Sequence, residues 1–278
     1  MANKKGDTTR IQAVPDVNKC TNLGCYSMKE REAYAVKTRK DQMLSTIYYF
    51  PDFEKPYTKT FKVEKGELGH GNGMCCAEKY IFFGCWVKDP AKSGREQQNY
   101  LIRVKYGKLT DNLKISVPEA TGAIAFYKKS HLIIKVKSRN GYLTFMMGKI
   151  LINEKGTAGR FDTLWTFYVK NTTGFSRGQD IYYDAQTDCL FIPQCNNANN
   201  VNKIMVVNLS GESETYKGNK LYTPQDIITV DKQKDYSKYE IESLVIAPKR
   251  HIVMVANIVP KGTKTADDAV ERISNLKF

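Results

Sequence analysis

The sequence lacks any apolar run of the roughly 20 residues that a membrane-spanning helix requires, although 41% of its residues are hydrophobic. Residues 1–7 carry charge but are not followed by an apolar segment, so no Sec signal peptide is predicted. We therefore expect a protein that is cytoplasmic as synthesised. A non-classical export route would leave no such signal and stays open.

Regularly spaced cysteines are also missing. The seven cysteines form no CxxC pair, and the adjacent Cys75 and Cys76 would point to opposite faces of a strand. An odd number without regular spacing argues against a disulfide framework and is typical of a reducing compartment. No P-loop, EF-hand or zincin motif is present. Motifs therefore predict neither a metal ligand nor a catalytic residue.

Acidic residues are the minority among the charged ones. The chain has 43 Lys and Arg against 29 Asp and Glu, a formal net charge of +14 at pH 7. Such a balance favours polyanionic partners, here a cell-wall glycan or a nucleic acid, and plain solubility is the alternative explanation. The basic residues that we take as anion-binding candidates are Lys37, Arg39, Lys40, Arg177, Lys249 and Arg250.

Five stretches of the chain can be aligned by a first apolar run and the turn that follows it. If Gly24, Gly73, Ala123, Asp180 and Ser243 share one column, the repeat is roughly 50 to 60 residues long, which is typical of propeller blades. The runs within each repeat are rich in Ile, Val, Tyr and Phe and are separated by turn residues.

This pattern predicts an all-β fold, namely a single five-bladed β-propeller with four-stranded antiparallel blades over residues 10–278. Residues 1–9 are polar and are predicted to be a flexible N-terminus. We expect residues 10–14 to pair with residues 269–278, which would close the ring and remove an exposed sheet edge. Residues 266–276 also have a helix-like spacing, but we assign a strand there because the repeat requires one.

Polar side chains occur where the innermost strand of a predicted blade begins. In a propeller these strand starts surround the central channel, so residues far apart in sequence would converge there. Their oxygens could coordinate Ca²⁺ or hydrogen-bond a sugar, Asp180 and Glu242 could form an acid/base pair, or all of them could simply bind water. The candidates are His70, Asn72, Gln179, Asp180, Glu240 and Glu242.

Three short stretches carry a resemblance to a known group. They are the Glu-Ile-Glu-Ser-Leu run at residues 240–244 with the closing run at residues 268–274, the Gly69-His70 step, and the strand at residues 179–184. In these short stretches the sequence resembles helveticin-type class III bacteriocins. The resemblance implies a five-bladed propeller and a large antibacterial protein acting at a bacterial envelope, and it supplies no catalytic residue.

Two classes of function fit these observations. The first is a non-enzymatic recognition module that binds an anionic or glycan partner, or a protein. An RNA-binding accessory protein is an alternative, since tyrosines among many basic residues are typical of single-stranded nucleic-acid binding. The second class is a hydrolase or lyase that uses the channel carboxylates.

Overall fold

The computed structural model describes residues 1–88, 97–175, 177–196, 199–232 and 234–278, without the side chains of residues 86–88, 97–99, 110, 111, 129 and 177. Strands account for 63% and helices for 2%, so the predicted all-β class is confirmed. The sheets form a nearly closed, barrel-like arrangement. No helix in these ranges is long and apolar enough to cross a membrane.

The strands are numbered in chain order. Those of the first half are β1 (Ala2–Lys5), β2 (Thr8–Ala13), β3 (Asn22–Lys29), β4 (Glu32–Thr38), β5 (Ser45–Phe50), β6 (Lys59–Val63), β7 (Gly73–Cys76), β8 (Tyr80–Lys88), β9 (Gln97–Lys105), β10 (Lys108–Ser116), β11 (Ala123–Phe126) and β12 (His131–Arg139). Those of the second half are β13 (Tyr142–Ile152), β14 (Gly159–Lys170), β15 (Arg177–Gly178), β16 (Tyr182–Asp184), β17 (Cys189–Asn196), β18 (Val201–Asn208), β19 (Glu214–Tyr216), β20 (Asn219–Tyr222), β21 (Asp226–Asp231), β22 (Tyr236–Ile246), β23 (His251–Pro260) and β24 (Ala269–Lys277).

Most strands pair antiparallel with the strand that follows them in sequence. The strands β3 to β6 form one four-stranded sheet, and β22 to β24 form another with β2 at its edge. The tight turn between β12 and β13 uses Asn140 and Gly141, both with positive φ, as an Asn-Gly hairpin requires. Of the predicted strand segment 266–276, residues 269–276 lie in β24 and residues 266–268 precede it.

The remaining strands form two larger sheets. The antiparallel groups β7 to β10 and β11 to β14 are joined by a parallel bridge at Ile115 and Gly159, and the hairpin β19–β20 pairs with β14, giving ten strands. The six-stranded sheet contains β15 to β18, β21 and β1. Sheet pairing alone thus does not divide the chain into five equal blades, and the five-bladed architecture stays a prediction.

The two chain termini are held in sheets. The predicted pairing of the N-terminal strand with the C-terminal one is present, since β2 pairs antiparallel with β24 from Thr8 opposite Ile273 to Ala13 opposite Ala269. Residues 1–9 differ from the expected loose segment. Strand β1 pairs in parallel with β21, and Lys4 forms an ion pair with Asp226 at 2.7 Å, because the edge of β21 offers unpaired backbone groups.

The strand groups, in chain order, are β3–β6, β7–β10, β11–β14, β15–β18 with β21, and β22–β24 with β2. Apolar clusters fill the spaces between successive groups. Each contains buried side chains from two neighbouring groups: Phe50 with Val255, Ile47 with Phe83, Phe82 with Ile134, Phe145 with Leu190, and Phe191 with Met254. Each group therefore packs on the next, and the last packs on the first. The starts of the inner strands face one another at the centre of this arrangement.

Candidate functional site

The innermost strands approach one another so closely that side chains are excluded at several positions. A Cβ atom on Gly73 would lie 2.2 Å from the carbonyl oxygen of Gly122, and one on Gly24 would lie 2.3 Å from that of Gly71. Only glycine fits such a contact. Gly24 and Gly73, two of the five residues aligned at one repeat position in the sequence, are therefore glycines because the backbones of neighbouring inner strands meet there.

Asp180 occupies this centre and is 1% exposed. Its carboxyl group accepts hydrogen bonds from the backbone N–H groups of Met74 (3.0 Å), Ile124 (3.1 Å) and Ile181 (2.9 Å). It also lies 3.1 Å from Oγ of Ser243. One side chain thus ties together the inner strands β7, β11 and β22 and the residue before β16. The alignment that placed Asp180 and Ser243 in one column is consistent with this contact.

The protonation state of Asp180 follows from these contacts. Burial raises the pKa of Asp180 to about 7, and the backbone hydrogen bonds oppose that shift. The hydroxyl of Ser243 lies 2.8 Å from the carbonyl oxygen of Tyr26 on β3. It has one proton but two nearby acceptors, this carbonyl oxygen and the Asp180 carboxylate. A protonated Asp180 resolves this competition, because it can donate to Ser243 Oγ while that hydroxyl donates to Tyr26.

A cavity of about 340 Å³ opens beside this centre, and we call it the central cavity. It lies where inner strands begin, so two of the predicted site residues, Asn72 and Gln179, line it. Its lining residues are Asn72, Ala120, Thr121, Gly122, Ala123, Lys135, Val136, Lys137, Gly178 and Gln179. Asp180, Glu240 and Glu242 do not line it.

Lys135 supplies a charged group to the central cavity. Its Nζ donates to the carbonyl oxygen of Gly178 at 3.2 Å. Burial lowers the pKa of Lys135 to about 8, while the nearby carboxyl of Asp180 acts in the opposite direction. An ammonium group has three donors, so two remain for a ligand. At neutral pH the cavity therefore contains a cation with spare donors.

Two buried polar atoms near the cavity lack a hydrogen-bond partner among the described residues. They are Oδ1 of Asn72 and Nδ1 of His70. A buried acceptor without a donor costs free energy, of order 1–3 kcal/mol, that a ligand hydroxyl can recover. Asn72 lines the central cavity, whereas His70 does not, so of these two residues only Asn72 is placed to meet a ligand there.

Two buried glutamates lie next to the centre, with opposite electrostatic environments. Burial alone would raise the pKa of Glu240, but hydrogen bonds from Cys195 Sγ (3.1 Å) and Gln179 Nε2 (2.6 Å) and the charge of Lys238 hold it below its usual range. Burial, followed by the charge of Glu240, raises the pKa of Glu242 well above its usual range. Glu240 is therefore ionised at pH 7, whereas Glu242 holds its proton more tightly than an ordinary glutamate does.

Five of the six predicted central residues lie near one another, since Asn72 and Gln179 line one cavity, Gln179 donates to Glu240, and Asp180 contacts Glu242. His70 does not line that cavity, and the calcium site and the acid/base pair stay hypotheses. The N–H of Asp180 donates to the carbonyl oxygen of Glu242 at 3.1 Å, so the two residues are backbone neighbours. The carboxyl oxygens of Asp180 are already surrounded by N–H donors, which disfavours a cation there. No group of three or more His, Cys, Asp or Glu within the described ranges could hold a metal ion.

Lys37 was expected to contribute to an anion-binding surface, and the structure corrects this expectation. It is 1% exposed, and its Nζ lies 2.8 Å from Oδ2 of Asp268 and contacts Asp16 and the carbonyl oxygen of Val14. Its charge is neutralised inside the protein, because its position on β4 faces the segment that follows β2, with Val14 and Asp16, and the residue before β24, Asp268. It is not available to an external anion.

The other basic candidates have mixed surroundings. Arg39 pairs with Asp41 at 2.7 Å, and Arg250 makes a bidentate contact with Asp184 at 2.6 and 3.0 Å. Lys40 and Lys249 are exposed, and the side chain of Arg177 lies outside the described residues. Of the five candidates whose side chains are described, Lys37, Arg39 and Arg250 are thus paired with carboxylates, and Lys40 and Lys249 are exposed.

Lys135 was missed by the sequence analysis, although a signal was present. It interrupts the apolar run 132–136 of β12, on the same strand face as Ile133. A basic residue in a run of otherwise buried positions indicates a buried contact or a site. The cysteines, by contrast, carry no special chemistry that we can assign, since none of the seven forms a disulfide and all but Cys76 are buried.

The chain matches no family model and none of the curated proteins compared with it. Among solved structures it is similar to the Kuenenia stuttgartiensis hydrazine synthase, with 11% identity and a TM-score of 0.43 over 85% of this chain. This chain spans about 64% of that hydrazine synthase chain.

Two further structures are similar to the chain over nearly its full length. One is a glucose dehydrogenase, with 9% identity and a TM-score of 0.48 over 97% of this chain and 100% of that one. The other is the Neurospora crassa Pan2 WD40 domain, with 9% identity and a TM-score of 0.41 over 99% of this chain and 98% of that one. These neighbours are propeller-like folds, and they assign no function to this chain.

Proposed function

We propose that the chain is a single five-bladed β-propeller that acts as a non-enzymatic recognition module, with the central cavity as the binding site for an acidic sugar. Three observations support the fold. Successive strand groups are each antiparallel, apolar clusters separate each group from the next, and β2 pairs with β24. The contacts of Asp180 at the centre agree with inner strands arranged around one axis.

The proposed ligand class rests on one observation, namely that Lys135 and Asn72 line the same cavity. Lys135 has donors to spare and a positive charge, which suit a carboxylate. The side chain of Asn72 lines the same cavity, and its buried Oδ1, which lacks a donor among the described residues, can accept a hydrogen bond from a hydroxyl once the amide turns toward the cavity. A sugar acid carries both groups on one small ring, and about 340 Å³ lies within the usual range of ligand pockets.

The same geometry favours binding over catalysis. A general acid or base must reach the reacting atoms, but Asp180 and Glu242 are buried and neither lines the cavity. The hydrogen bonds of Asp180 to three strands identify it as a structural residue. The acidic sugars of a bacterial envelope are one setting for such a module, in line with the helveticin-like stretches of the sequence.

Calorimetric titration with D-glucuronate and D-glucose tests this proposal. We expect glucuronate to bind more tightly than glucose, and Lys135→Met to weaken glucuronate binding at least tenfold, because a hydrogen bond to a charged group contributes about 1.5–3 kcal/mol. Lys62→Met is the matched control, since Lys62 is exposed on β6 away from the cavity. Equal affinities for the two sugars, or an unchanged affinity in Lys135→Met, would contradict the proposal.

A further inference from the structure

Arg103 differs from the other arginines whose side chains the structure describes. Each of the others has a guanidinium nitrogen within 4.0 Å of a carboxylate oxygen. Among the described residues Arg103 has no such partner, and its Nε is buried without a hydrogen-bond acceptor there. Its guanidinium lies over the ring of Tyr80, 4.2 Å from the ring centroid. A positive charge is thus held against an aromatic face, with no carboxylate beside it among the described residues.

Arg103 occupies a position that the strand pattern would assign to an apolar residue. It lies on β9 opposite Phe82 of β8, and the side chains of Phe82 and Leu101 belong to the apolar cluster between the second and third strand groups. Placing a guanidinium at the edge of such a cluster is costly unless an acceptor is supplied. The described protein residues supply none.

A cavity of about 260 Å³, which we call the side cavity, opens directly in front of Arg103. Its apolar wall consists of Tyr80, Phe82, Phe126, Ile150 and Ile152, and Ile152 is 40% exposed at its rim. For comparison, an apolar cavity of about 150 Å³ is large enough to bind benzene. The side cavity therefore has room for one ring and a short polar arm.

We propose that the side cavity is a second binding site, separate from the central cavity, and that it takes a small aromatic carboxylate. The ring lies against Phe82, Phe126 and Ile150, and the carboxylate accepts hydrogen bonds from the guanidinium of Arg103. Lys79 at the rim adds positive charge. Glu78 also lines the cavity and is exposed, and its negative charge opposes binding.

The probe pair 3-phenylpropionate and 3-phenylpropanol tests the assignment, because the two differ only in the carboxylate. We expect the acid to bind at least tenfold more tightly than the alcohol in an NMR titration. The largest shifts should fall on the methyl groups of Ile150 and Ile152. Arg103→Gln should weaken binding of the acid at least tenfold, while Glu78→Gln should strengthen it.

Arg272→Gln is the matched control, because Arg272 is a partly exposed arginine that pairs with Glu54 elsewhere. It should leave the affinity for 3-phenylpropionate unchanged. Equal binding of acid and alcohol, or methyl shifts away from Ile150 and Ile152 in the wild-type protein, would overturn the proposal. These wild-type measurements decide the matter even if Arg103→Gln does not fold.

Discussion

The pH dependence of stability should report directly on the central carboxyl group. Burial raises the pKa of Asp180 from 3.8 in the unfolded chain to about 7. Between these two pH values the folded protein binds a proton that the unfolded chain has lost, so the free energy of unfolding falls as the pH rises. At about 1.4 kcal/mol per pKa unit, the loss across this window is about 4 kcal/mol.

The variant Asp180→Asn isolates this contribution. An amide does not titrate, but its NH₂ group cannot accept the hydrogen bond from the N–H of Met74. Leaving that buried donor unpaired should cost about 1–3 kcal/mol. The variant should therefore be less stable than the wild type at pH 4 and more stable than it above pH 7.

Urea unfolding at intervals from pH 4 to pH 8 measures both proteins. The difference between their free energies of unfolding should change by about 4 kcal/mol across this range and should reverse its sign. Asp235→Asn, which removes an exposed carboxyl, is the control and should give a nearly constant difference. A difference between Asp180→Asn and the wild type that does not vary with pH would refute the assignment of a neutral acid at the centre.

Three other substitutions or conditions have defined outcomes. Gly73→Ala should lower the free energy of unfolding, measured in urea, by several kcal/mol, because its Cβ would lie 2.2 Å from the carbonyl oxygen of Gly122. Gly122→Ala should be tolerated, because the nearest atom to its Cβ would be 3.5 Å away. Lys37→Met should lower the free energy of unfolding by about 3–5 kcal/mol, because it leaves the buried carboxylate of Asp268 without its lysine. The control Lys40→Met, at an exposed position, should change the free energy of unfolding by less than about 0.5 kcal/mol. Glucuronate affinity should fall as the pH rises through about 8, because Lys135 loses its charge there, and an affinity that stays constant to pH 9.5 would exclude Lys135 as the carboxylate partner.

The strands and the centre of the fold were largely predictable from the sequence. Short runs rich in Ile, Val, Tyr and Phe between turn residues locate β4, β5 and β6. The strands β4 and β5 are buried at nearly every position, so they lie inside the packed structure, whereas β6 is largely exposed. The alignment of Gly73 with Asp180 and Ser243 was informative because equivalent positions of inner strands meet at one point.

Features that depend on distant partners could not be predicted. From the sequence alone, Lys37 is expected to be a surface lysine. In the fold it contacts Asp268, the residue before β24, which is far from it in the sequence. Strand β1 is polar and becomes a strand only because β21 has a free edge. Lys135 and Arg103 appear in the sequence as interruptions of apolar runs, and only the packed structure shows the cavity that each one faces.

The most direct test of the central claim is a backbone amide NMR titration of the labelled protein with D-glucuronate. Binding in the central cavity predicts that the largest shifts fall on Gly122, Ala123, Gly178 and Gln179, which line it. Saturation at one equivalent should accompany these shifts. Small, unsaturated shifts spread over exposed lysines, such as Lys40 and Lys249, would instead show a diffuse response to charge and would contradict a built sugar-acid site.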